Sequence, residues 1–221
     1  MQWHCEDHSL RNAQPSWPIL DDTALALVVN GAPHARLLTE ESELADSMSS
    51  QRLMDFTSGR HSAHIAQRLL GLEEQPILRV NRSPLWPPGQ CGSISHCREW
   101  AFAGVSTQFR SIGVDIEAID RITNKLFPAL FRPDEIDAFN TQPDTAAAIT
   151  FSAKEAGYKA IFPIGATFIG FQEASIKLDW AHQQFRIKYH GSHDLNKALE
   201  SGIGHWRLTN EHVLTFFSIQ E

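Results

Sequence analysis

Between Ser111 and Glu117 the chain alternates without a break. Ile112, Val114 and Ile116 take one parity, and Gly113, Asp115 and Glu117 take the other. A period of two predicts a β-strand whose two carboxylates leave one face while the aliphatic residues pack behind them. Further on, Phe151-Ser-Ala-Lys-Glu-Ala-Gly-Tyr-Lys-Ala160 reads as a helix, in which Glu155 and Lys159 stand four residues apart and share a face. Three carboxylates converging from two rigid elements suit a hard cation, and a nearby lysine suits a phosphate held on that cation. Asp-x-Glu alone also describes a solvated strand edge, and a Lys-Glu-Lys set a solvated helix face. The conjunction of the two segments is what singles them out.

A chain of 221 residues that is 42% hydrophobic and 20% charged has the balance of an ordinary globular protein, with one large core or two small ones. Its apolar run Leu25–Val29 is far too short for a transmembrane segment. The N-terminal residues show no basic stretch followed by an apolar core, so no secretory signal is expected. Three cysteines, Cys5, Cys91 and Cys97, are an odd number and suggest no disulfide framework. A cytoplasmic placement follows. The net charge of −7 argues against general nucleic-acid binding, which favours a basic surface.

The order of elements suggests a repeat. Residues 1 to about 20 read as irregular, Ala24–Asn30 as a strand, and Thr39 as the cap of a helix running on to Gln51. Arg52–Leu70 has apolar residues near helical spacing, and Gly71 ends it. Pro76–Val80 reads as a short strand and Asn81–Gly92 as a loop. Ser93–His96 and Trp100–Ser106 read as strands around a turn. In the second half, Pro133 opens a helix and Ala146–Phe162 is another, stopped by Pro163-Ile-Gly165. Phe171–Leu178, Gln184–Tyr189 and Val213–Ile219 alternate as antiparallel strands. The pattern predicts an α+β fold of two similar halves, 1–110 and 111–221, divided near Phe109–Gly113, with a site between them, where ligand clefts usually lie.

The two segments resemble the signature of the Sfp-type 4′-phosphopantetheinyl transferases, a Gly-x-Asp-x-Glu strand followed by Phe-Ser-x-Lys-Glu-Ala-x-x-Lys. Both parts are intact here, as Gly113–Glu117 and Phe151–Lys159. Upstream, Pro84-Leu-Trp-Pro-Pro-Gly-Gln-Cys-Gly-Ser-Ile-Ser-His-Cys97 is similar to a stretch of the enterobactin synthase component D branch. So is Phe56–Ala63, with Arg52 before it. The four elements run in family order over about half the chain.

The resemblance implies a pseudo-twofold fold and an enzyme that moves the phosphopantetheine arm of coenzyme A to a serine of an apo carrier protein or carrier domain. Adenosine 3′,5′-bisphosphate is the other product. It implies Mg²⁺, with Mn²⁺ an alternative, on Asp115, Glu117 and Glu155, and coenzyme A as substrate. Glu155 would also take the serine proton, directly or through a metal-bound water, Lys159 would face the pyrophosphate, and Asp115, Glu155 and Lys159 would form the catalytic set. Lys154, 100° around the helix, would contact phosphate from the side, or the carrier. Arg52, Arg60, Ser95 and His96 would bind coenzyme A. Of Arg79 and Arg82, both ahead of the Pro-rich loop, Arg82 is nearer and preferred. Ser83 departs from the acidic residue common there. The branch favours carriers of non-ribosomal peptide and siderophore synthesis, and a monomer is expected. Carriers are usually acidic, so a local positive patch is wanted on this acidic chain.

Other classes fit less well. Clustered carboxylates and a lysine also serve Mg-dependent nucleases, but those place glutamate and lysine two apart on a strand. An inactive paralogue that binds coenzyme A or carriers would be expected to lose a carboxylate or the lysine. Cys91, His96 and Cys97 give no standard zinc spacing.

Overall fold

The computed structural model describes residues 1–6, 17, 20–80, 83–139, 142–165, 168–192 and 195–220. The chain forms two compact units, Met1–Phe109 and Arg110–Glu221.

In the first unit the strands are β1 (Gln2–Cys5), β2 (Thr23–Val29), β3 (Leu78–Val80), β4 (Ser83–Leu85), β5 (Cys91–His96) and β6 (Trp100–Ser106). Two helices, α1 (Thr39–Glu43) and α2 (Ser50–Leu69), lie between β2 and β3. The main sheet has the order β1-β2-β6-β5, parallel between β1 and β2 and antiparallel elsewhere. Six of the seven residues of β2 are buried, because both faces of the strand are covered. On one face Ala24, Ala26 and Val28 pack with Ala101, Val105 and the α2 residues Ile65 and Ala66. By alternation Phe102 faces the other way, where Trp3 and Trp17 lie with ring centroids 6.2 and 6.5 Å from it.

Three sequence expectations change here. The N-terminal residues are not all irregular: Gln2–Cys5 pairs with Ala24–Leu27, an edge strand held by its partner rather than by its own pattern. The helix begun at Thr39 does not run on to Gln51. It ends at Glu43, and α2 starts afresh because the Ser49 side chain accepts the Arg52 N–H and caps it. The Asn81–Gly92 stretch is not all loop, since Ser83–Leu85 pairs antiparallel with β3. Gly71, at φ 73°, ends α2 in the left-handed conformation that suits glycine.

The second unit contains β7 (Ser111–Ala118), α3 (Phe127–Leu130), α4 (Pro133–Asp137), α5 (Pro143–Gly165), β8 (Ala174–Asp179), β9 (Gln184–Tyr189), α6 (Asn196–Ser201), β10 (Ile203–Leu208) and β11 (His212–Ile219). Its sheet has the order β7-β11-β10-β9-β8 and is antiparallel throughout. The long helix α5 lies on β7 and β11. Pro163 does not stop α5 but sits in its last turn, and the helix continues to Gly165. The strand β10 was not anticipated, because it buries His205 and Arg207 together with Trp206, which blurs the alternation.

Both units share one sequence of moves. A strand leads to a long helix, and a later antiparallel pair brings its last strand back beside the first: β2, α2, β5, β6 in one and β7, α5, β10, β11 in the other. The hairpin β8–β9 extends the second sheet, whereas β3–β4 forms a separate two-stranded ribbon. The fold is α+β with two sheet-containing halves.

Candidate active site

The helix α5 approaches β7 closely because the chain is small where they meet. Gly113 faces Ala156, and Ala153, Ala156 and Ala160 are fully buried. Alternation then turns Asp115 and Glu117 toward the same helix as Gly113. Lys159, three residues beyond Ala156, donates to Asp115 Oδ1 at 2.7 Å and to the Val114 carbonyl at 3.2 Å. Asp115 and Glu117 are both buried, and Arg121 donates to Glu117 Oε2. Burial raises the Glu117 carboxyl, the Asp115 charge raises it further, and it reaches about 7 despite Arg121. Glu155 is also raised, first by burial and then by Asp115, against Lys159 and Arg121.

Asp115, Glu117, Glu155 and Lys159 therefore share one electrostatic neighbourhood. Their carboxylate oxygens do not all fall within 4.8 Å of one another. A set of oxygen donors whose charges repel one another fits a hard divalent cation. Beside Glu155 opens a cavity of about 140 Å³, lined by Tyr158, Phe168, Ile169, Phe171 and Ile187 among others. Phe168 is 72% exposed and stands edge-on to Tyr158. Sequence reasoning did not find this cavity; the aromatic residues at 158, 168 and 171 are its only trace.

Lys154 lines the same cavity, but its ammonium is held by other partners. Its Nζ donates to Glu135 Oε2 at 2.6 Å, to the Phe171 carbonyl at 2.8 Å and to the Leu130 carbonyl at 3.0 Å. An ammonium has three N–H donors, and all three are used inside the unit. The expectation that Lys154 contacts phosphate or carrier is corrected on that ground: the side chain is buried and ties α5 to α4. Burial lowers its pKa, with Glu135 opposing. Glu135 also accepts from Ile176 N–H and Arg132 N–H, a role that sequence reasoning missed.

In the first unit, Arg60 is buried rather than displayed. Its Nε donates to the Ile77 carbonyl at 2.7 Å and its Nη2 to the Leu78 carbonyl at 3.2 Å, with the guanidinium 4.5 Å over the Phe56 ring. Burial pushes its pKa down to about 10; Glu41 opposes this, while Arg52 and Arg79 add to it. Arg52 and Arg79 are exposed, so two further guanidinium groups bear on Arg60 from α2 and β3. Arg68, the next residue at the same spacing, is instead paired with Glu74. Arg82 lies outside the described residues. Beneath this cluster Glu41 is fully buried and accepts from Ile77 N–H and Leu38 N–H, with His64 Nε2 at 3.0 Å. Sequence reasoning missed Glu41 too; its only signal was an acidic residue in a first helical turn. Ser95 is buried in β5 opposite Phe102, and His96 ends the strand, exposed, with Nδ1 3.8 Å from Asp55 Oδ1. Trp86 packs over Gly92.

Comparison with known proteins identifies the family. A family model described as 4′-phosphopantetheinyl transferase N-terminal domain matches residues 40–106, and one described as 4′-phosphopantetheinyl transferase superfamily matches residues 111–216. The 4′-phosphopantetheinyl transferase PptT of Mycobacterium tuberculosis is 33% identical over 209 residues, covering 89% of this chain and 92% of its own. The 4′-phosphopantetheinyl transferase Npt of Nocardia iowensis is 36% identical over 146 residues, covering 63% and 65%. Enterobactin synthase component D of Salmonella typhi is 38% identical over 135 residues, covering 59% and 56%. With both family domains in order on one chain, the protein belongs to the 4′-phosphopantetheinyl transferase superfamily.

Proposed function

We propose that the protein moves the 4′-phosphopantetheine arm of coenzyme A onto a serine of an apo carrier protein. The serine oxygen bonds to the phosphorus that carries the pantetheine arm. The bond from that phosphorus to the bridging oxygen breaks, and adenosine 3′,5′-bisphosphate leaves. The observation that supports the residue assignment is Lys159 Nζ, held 2.7 Å from Asp115 Oδ1 on the same helix as Glu155, which itself borders the apolar cavity.

In this reading Asp115, Glu117 and Glu155 hold Mg²⁺ or Mn²⁺. The ion, when bound, offsets the charge on the pyrophosphate. Lys159 meets the same phosphates from one turn beyond Glu155. Glu155 accepts the serine proton at a carboxylate oxygen. The cavity beside it takes the apolar stretch of the arm. Arg52 and Arg60, with Ser95 and His96, bind the phosphates and adenine of coenzyme A. Arg82, or Arg79 close before it, joins them. The first unit thus carries coenzyme A binding and the second the metal and the proton transfer.

The similarity to enterobactin synthase component D supports carriers of non-ribosomal siderophore assembly as acceptors. A cytoplasmic setting is supported by the coenzyme A substrate and the odd cysteine count. A monomer suffices, since one chain carries both family domains. The test is incubation with coenzyme A, Mg²⁺ and a panel of apo peptidyl, aryl and acyl carriers, followed by intact mass. A gain of one phosphopantetheine arm on a carrier is expected; no gain on any of them contradicts the reading.

A further inference from the structure

Glu6, His34 and His61 bring one carboxylate oxygen and two imidazole nitrogens within 4.8 Å of one another. They come from three places in the first unit: the residue after β1, the segment between β2 and α1, and the middle of α2. Glu6 Oε1 stands 2.7 Å from His34 Nε2. Its Oε2 accepts the Val29 N–H at 3.0 Å, which aims the other oxygen at the imidazoles. Metal-binding carboxylates are commonly oriented by such an outer hydrogen bond. The His61 ring lies 5.4 Å from that of His34, centroid to centroid, at 70°. His61 is buried, while the His34 side chain is 59% exposed and leaves a way in from solvent.

A hydrogen bond between Glu6 and His34 needs no second imidazole beside it. Two imidazoles and one carboxylate are the donor set of a zinc centre with three protein ligands and one open position. The mixed nitrogen and oxygen donors select a transition ion over Mg²⁺. With bonds of about 2.0–2.2 Å, the ligand atoms of a tetrahedral centre lie roughly 3.3 Å apart. Glu6 and His34 would therefore open slightly and His61 close in, shifts on the order of 1 Å at side-chain tips.

We propose that Glu6, His34 and His61 form a binding site for a zinc-class divalent ion, sharing no residue with the Asp115, Glu117 and Glu155 set. The ion ties the end of β1 and the β2–α1 segment to α2 and stabilises the first unit by binding its folded form.

The experiment titrates the chelator-treated full chain with Co²⁺ in excess Mg²⁺. Cobalt on oxygen ligands alone gives a weak octahedral spectrum, so the carboxylate set cannot imitate the result. One equivalent should produce the strong visible band of four- or five-coordinate Co²⁺. Zn²⁺ should bleach that band and raise the unfolding temperature. His34→Ala and Glu6→Gln should abolish both effects while carrier modification with Mg²⁺ continues. His182→Ala, at an exposed histidine on the β8–β9 turn, should change neither. A weak octahedral spectrum alone, or a full-strength band surviving in His34→Ala, overturns the site. Neither variant depends on replacing the buried His61.

Discussion

A β-carbon on Gly113 would stand 1.8 Å from the carbonyl oxygen of Ala156. This contact sets a small spacing between β7 and α5, and Asp115 and Lys159 meet across it. Gly113→Ala must push the helix away, since a backbone oxygen cannot swing aside. Overpacking of this kind costs about 1–3 kcal/mol and occasionally more. We expect a lower denaturation midpoint and a loss of kcat/KM, because the lysine withdraws from Asp115. An unchanged midpoint would show that the contact is slack.

The Lys154–Glu135 pair predicts a stability defect rather than a binding defect. Both side chains are 3% exposed. Lys154→Met leaves the Glu135 carboxylate buried without its ammonium, a change that costs about 3–5 kcal/mol in comparable pairs. Adding Glu135→Gln should recover part of the loss. Denaturant titration of the single and double variants measures this. Full stability of Lys154→Met together with a raised KM for coenzyme A would return the lysine to the substrate.

His205 gives the fold a pH dependence. Burial, then Arg207 and Arg186, push its pKa from 6.5 down to about 4. Between those values the unfolded chain binds more protons than the folded one, so stability rises with pH there. The contribution is complete above pH 6.5 and is lost as pH falls toward 4, on the order of 3 kcal/mol at most. His61 and His190 are also lowered and act in the same direction. His205→Gln should flatten the slope of unfolding free energy across that window. A slope equal to wild type would show that the ring is charged in the folded state.

His96 is expected to hold the 3′-phosphate of coenzyme A. His96→Ala should raise KM for coenzyme A more than for dephospho-coenzyme A, with kcat little changed, because that phosphate does not change charge during transfer. Equal penalties on both substrates would remove His96 from the phosphate.

The parts legible in the sequence are those written in local periodicity. The strict alternation of 111–117 and the i, i+4 pair in 151–160 placed Asp115, Glu117, Glu155 and Lys159 on β7 and α5, which the structure brings into one neighbourhood. What was not legible depends on partners far along the chain. Glu135 answers to Lys154 and Ile176, and Glu41 to His64 and Ile77, so neither looks different from a solvated helix acid. Helical spacing separates Lys154 from Lys159 by direction only; the carbonyls of Leu130 and Phe171 show that Lys154 is spent on packing. The burial of Arg60 is illegible in the sequence for the same reason, its two carbonyl acceptors lying 17 and 18 residues on.

The central claim is that the carboxylates on β7 and α5 carry out the transfer, with Glu155 taking the serine proton. Glu155→Gln keeps the shape and one oxygen but removes the charge and the basicity. The deciding measurement is single-turnover transfer to an apo carrier at saturating Mg²⁺, alongside the affinity of the variant for coenzyme A. The account predicts retained coenzyme A binding and a loss of at least about a hundredfold in rate. A near-normal rate in Glu155→Gln would contradict it.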